Sequence, residues 1–146
     1  MDLDARIKLA AYAHFAETGR GPIPAEVARR SGTDVATVLD AYPRLRAQRL
    51  LLLEADGASI RMAPPFSGVP TPFVVSVGGT RYYANCAWDA LGIPAALHEQ
   101  ATVQSHCEQS GEPLRLNVGR SGPEPSPWLF HCLVPAAKWW DDIVFT

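Results

Sequence analysis

Two side chains in this sequence have the types and the spacing to do chemistry together. Cys86 and Asp89 lie three residues apart in the segment Tyr82–Pro94, which reads Tyr-Tyr-Ala-Asn-Cys-Ala-Trp-Asp-Ala-Leu-Gly-Ile-Pro. If the chain turns into a helix near Asn85, residues i and i+3 share a face. The thiol and the carboxyl then approach one ligand together. A thiolate binds soft metals, and a carboxyl beside it exchanges a proton. Either residue also has a plainer reading. A cysteine is commonly a small core hydrophobe, and an aspartate near a helix start is commonly a favourable charge.

The elements that must position this pair follow from the pattern around it. A strand-like run, Phe73–Val77, a Gly78-Gly79 turn and a second run, Arg81–Tyr83, lead into a short helix over Cys86–Leu91. Further on, Ala101–His106, Leu114–Val118 and Trp128–Val134 read as strands, 119–127 as a loop and Ala136–Asp142 as a helical turn. Ahead of them, apolar residues recur at helical spacing over 3–18 (Leu3, Ile7, Ala10, Ala11, His14, Phe15), with His14 read as packed. A second helix over 24–30 closes at Ser31-Gly32. A third starts from Thr33 or Asp34 and runs to about Gln48, with Val35, Val38, Leu39, Tyr42 and Leu45 inward and Pro43 as a kink. Leu50–Glu54 and Ser59–Met62 then pair as a hairpin. The expected fold is α+β: a winged-helix-like three-helix unit over 1–62, a Pro-rich linker over 63–72, and a core of antiparallel or mixed strands with short helices over 73–146.

With 146 residues the chain suffices for one compact domain or two small ones sharing a core. Thirteen basic against fifteen acidic residues give a net charge of −2, a poor footprint for nucleic acid. The start of the third helix, Asp34-Val35-Ala36-Thr37, is acidic to neutral where a DNA reader carries polar or basic groups. The helical unit is therefore expected to be a scaffold. No apolar stretch approaches a membrane span, and Met-Asp-Leu-Asp is unlike a signal peptide. These features point to the cytoplasm, where three cysteines without CxxC spacing are expected as thiols. The sequence leaves the oligomeric state open.

Four ordered pieces resemble the organomercurial (alkylmercury) lyase family: Pro65-Phe66-Ser67, Tyr82–Pro94, Ser105-His106-Cys107 with Gly111-Glu112-Pro113, and Trp139–Thr146. The resemblance implies an enzyme that cleaves a carbon–mercury bond by protonation. Thiolates capture the mercury, an aspartate delivers the proton to carbon, and outside thiols remove the ion; no organic cofactor is implied. Cys86 matches the family's first reactive cysteine and Asp89 its aspartate, so both are the expected catalytic and mercury-binding residues. The family's second reactive cysteine is expected just past the stretch resembling Asp141–Thr146, so the chain reads as a truncated or divergent member. Cys107 matches a structural cysteine. Cys132 is expected as a core thiol, and Trp88, Trp128, Trp139 and Trp140 mostly as core, with Trp88 also able to wall an apolar pocket. Two alternatives stay open: a homologue that binds a soft metal or other ligand without cleavage, and a metal- or thiol-responsive regulator.

Overall fold

A computed structural model of the chain describes residues 1–145; Thr146, the end of the last matching piece, lies outside the described residues. The first helix, α1 (Leu3–Thr18), starts where Asp2 accepts the Ala5 N–H at 2.8 Å, filling one of the free donors of the first turn. It stops at Gly19, which takes φ 72° and donates to Phe15 O. A side chain at Gly19 has no room either, since its Cβ would stand 2.0 Å from Arg81 O. Helix α2 (Pro24–Ser31) opens on proline, whose missing N–H costs nothing there. Helix α3 (Val35–Ala47) is capped by Asp34, which accepts the Thr37 N–H at 2.7 Å, and it continues through Pro43. Arg44 ties α3 to α1 through Asp4 (2.8 Å).

The inward face of these helices is Ile7, Ala10, Ala11, His14 and Phe15 on α1 and Val38, Ala41, Tyr42 and Leu45 on α3. Leu3, Val35 and Leu39, expected inward, are exposed. Leu3 and Val35 open their helices, Leu39 lies at the margin of the apolar stripe, and Ala41 takes an inner position beside Val38. His14 is packed as expected, its Nε2 3.7 Å from Glu26.

Among the described residues eight strands form one antiparallel sheet: β1 (Leu52–Leu53), β2 (Ile60–Ala63), β3 (Phe66–Ser67), β4 (Phe73–Val77), β5 (Thr80–Ala84), β6 (Ala101–His106), β7 (Pro113–Gly119) and β8 (Gly122–Pro123). Their order is β1-β2-β3-β5-β4-β6-β7-β8. Registers such as Val75 opposite both Tyr82 and Val103 put Val75, Tyr82, Ala84, Ala101, Val103 and Val118 into the core. Helix α4 (Ala87–Leu97) and α1 both contact β5. Phe66 joins the parts: it stacks on Phe15 at 5.6 Å and lies 5.7 Å from Tyr82. One contiguous buried cluster therefore runs from Ile7 to Val118. The arrangement is α+β, with helices at the start and an antiparallel sheet carrying short helices.

Two expectations are corrected. Within the Pro-rich stretch 63–72, Phe66–Ser67 form β3, paired with β2 and β5, so part of that stretch is sheet. Trp128–Val134 is not a strand. Its apolar run mimics one, but the segment pairs with no strand of the sheet, and Pro127 and Pro135 bracket it. The helical turn beyond it is a 3₁₀ turn, Ala136–Asp141. No helix among the described residues is long and apolar enough to cross a membrane.

Candidate functional site

The β5–α4 junction builds the site. Thr71 Oγ1 donates to Ala84 O and pins the end of β5. The chain then passes through Asn85, and Cys86 becomes the N-cap of α4 in extended conformation (φ −149°, ψ 178°). The Ala90 N–H donates to Cys86 O at 3.0 Å and closes the first turn. Asp89 occupies the third helical position, so its carboxyl and the Cys86 thiol face one another. The helix runs through Pro94 to Leu97, longer than the expected Cys86–Leu91, and Ala90 and Ile93 bury its inner face.

Around the pair lies a cavity of about 180 Å³. Met62 and Pro64, at the end of β2, form one side, and Trp139, Trp140 and Ile143 form another. Trp88 stands at the rim, 6.1 Å from Trp139 edge to face and 6.4 Å from Phe130. The Trp139 Nε1–H donates to Val134 O at 2.8 Å. Asn85 Nδ2 donates to Ile143 O at 2.9 Å and ties this wall to the junction.

Burial governs the electrostatics. It pushes the Asp89 carboxyl up to about 6, with the neighbouring thiol acting in the opposite sense. Burial also pushes the Cys86 thiol up, and the Asp89 charge adds to this. The N–H groups of Asp89 and Trp88 favour the thiolate, as expected at a helix start, but they are outweighed. No full capping hydrogen bond to the sulfur forms. The pair at rest is thus a neutral thiol beside a carboxyl poised to hold a proton near neutral pH.

The other cysteines lie elsewhere. Cys107 follows β6 in a turn, its N–H donating to Glu112 O at 2.8 Å, and hydrogen bonds from Ser110 lower its pKa. Cys132 is exposed rather than a core thiol, and its Sγ–H donates to Val134 O at 2.8 Å. Trp88 (58% exposed) and Trp128 (39% exposed) are not core: Trp128 lies on the 128–134 segment, which does not enter the sheet, and Trp88 lines the cavity from α4. Among the described residues no three His, Cys, Asp or Glu side chains converge on one ion position. The cavity therefore holds two potential metal-donor groups, Cys86 and Asp89. Met62, Pro64, Asn85 and Ile143 escape sequence reasoning; the tandem Trp139-Trp140 was the one visible signal for the wall.

Comparisons with known proteins bear on this pocket. The family model described as "MerB: Alkylmercury lyase" matches residues 66–146, from β3 through the site and its wall. An alkylmercury lyase of Pseudomonas putida is 33% identical over 111 residues, covering 74% of this chain and 49% of that protein. One of Bacillus cereus is 44% identical over 50 residues, covering 34% of this chain and 23% of that protein. The chain thus spans about half, or less, of the length of the curated relatives it matches. A solved structure titled "Crystal structure of the mercury-bound form of MerB2" aligns with TM-score 0.63 at 21% identity, over 86% of this chain and 66% of that one, and shows the same fold. With more than half of the sequence inside the family match, this chain belongs to the alkylmercury lyase family.

Proposed function

We propose that the chain acts on organomercurials by protonolysis of the carbon–mercury bond, with Cys86 as the mercury ligand and Asp89 as the proton carrier. The observation that carries this reading is the pairing of one thiol with one carboxyl of raised pKa inside an apolar, tryptophan-walled cavity. The Cys86 sulfur displaces the thiolate that accompanies the incoming organomercurial, and that thiolate leaves to solution. The Cys86 proton passes to the Asp89 carboxylate, whose raised pKa suits it to hold that proton near neutral pH. A thiol from solution supplies the second sulfur ligand. Thiolate donation weakens the carbon–mercury bond, whose electron pair takes the proton from Asp89 as the bond breaks. The hydrocarbon leaves, Asp89 returns to the carboxylate, and mercury(II) stays on sulfur until external thiols remove it. The apolar cavity holds the organic group and keeps water from competing for the proton. The reaction needs free thiols and is placed in the cytoplasm. Residues 1–62 serve as the supporting unit of the 73–146 core.

A second reading is binding without cleavage, favoured by the two-donor count among the described residues. Incubation with an organomercurial and excess thiol, assaying released hydrocarbon, separates the two. Release that is lost in both Cys86→Ser and Asp89→Ala supports the lyase reading. Mercury retained through Cys86 with no hydrocarbon released overturns it in favour of the binding protein.

A further inference from the structure

Asn85 is a separate link in this site. It stands between β5 and Cys86, and its side-chain amide reaches Ile143 O at 2.9 Å. The segment it reaches is weakly anchored in the sheet sense. Beyond β8 the described chain forms only loops and the 3₁₀ turn, with Leu129 and Leu133 largely exposed. Yet this segment supplies Trp139, Trp140 and Ile143 to the cavity. The ring contact between Trp88 and Trp139 holds the rim, and the Trp139 bond to Val134 O holds the segment's own shape. The Asn85 amide joins the backbone of the wall to the residue adjoining the thiol. The acceptor is a backbone carbonyl, so the link depends on the amide donor and not on the side chain at 143.

We infer that Asn85 is a positioning residue: it sets how far the tryptophan wall stands from Cys86 and so limits the size of the reagent that reaches the thiol. The cavity is about 180 Å³, and an outward shift of the wall enlarges it. The inference concerns access to the sulfur and stands apart from bond cleavage.

The test uses the full chain with Cys107→Ser and Cys132→Ser, leaving one thiol. Alkylation of Cys86 is timed with iodoacetamide and with the bulky N-(1-pyrenyl)maleimide, each at the same pH, and the ratio of the two rates is the readout. A change in thiolate fraction cancels in that ratio. Asn85→Asp keeps the shape but replaces the donor with an acceptor; Asn85→Ala removes the group; Asn85→Gln keeps the donor on a longer arm. The expected result is a bulky-to-small ratio about tenfold higher in the Asp and Ala variants, the scale one hydrogen bond supports. Gln restores part of the difference, and tryptophan emission shifts red in step with the ratio. A ratio unchanged in the Asp and Ala variants overturns the inference. So does a loss of stability equal in all three variants with no recovery by Gln. Trp140→Ala, which opens the wall without touching Asn85, is the second check: if it leaves the ratio unchanged, the wall does not govern access and the inference fails.

Discussion

Asp89→Asn will make the protein more stable at neutral pH while removing the proposed proton carrier. Burial raises the carboxyl to about 6 in the folded state, against about 3.9 in an unfolded chain. Between these values the folded state binds more protons than the unfolded one, so stability falls as pH rises through that window. Above about pH 6 the full cost of keeping a charged carboxylate in the pocket is present. Roughly two pKa units at about 1.4 kcal/mol each give an upper bound near 3 kcal/mol, and residual solvent access brings the expected cost to about 1–3 kcal/mol. The asparagine keeps the shape and never ionises. Urea unfolding of both proteins at pH 4 and pH 7.5 measures the effect. The variant's stability relative to the parent should rise by about 1–3 kcal/mol from the lower to the higher pH. Any constant offset from the amide's own hydrogen bonding cancels in that comparison. A difference that is flat with pH, or that moves in favour of the parent, would refute the account of Asp89 as a desolvated carboxyl.

Thiol labelling with a small alkylating reagent at pH 7.5, read by mass spectrometry of peptides, should modify Cys132 and Cys107 before Cys86. Cys132 is exposed, hydrogen bonds lower the Cys107 thiol, and burial raises Cys86; the gap should narrow as pH rises. Gly68→Ala should destabilise by about 1–3 kcal/mol or more in thermal unfolding, because its Cβ would meet Ile60 O at 1.9 Å where β2 and β3 approach.

Much of this was legible because it is local. The Gly19 and Gly32 stops, the Asp34 cap and the Ala101–His106 strand each follow from residues within a few positions of one another. The pairing of Cys86 with Asp89 is of the same kind, since one helical turn suffices to bring them together. The misreading of 128–134 shows the limit. Trp-Leu-Phe-His-Cys-Leu-Val has the composition of a strand, but a strand needs a partner edge, and composition does not say which edges are free. The cavity wall is likewise invisible locally. Its link to the site spans 58 positions, and a lone asparagine beside a cysteine carries no sign of a carbonyl that far along the chain. The exposed tryptophans mislead for the same reason: bulk predicts burial only where some element arrives to cover it.

The separation between the reactive pair and its wall also orders events during synthesis. The ribosome delivers the chain from the N-terminus, so α4 can form its first turn, with Cys86 and Asp89 already side by side, while Trp139, Trp140 and Ile143 are still to be made. Over that interval Cys86 lacks the wall that Trp139, Trp140 and Ile143 later supply. The nascent protein therefore passes through a stage in which Cys86 is more open to oxidants and stray metal ions than it is in the finished fold.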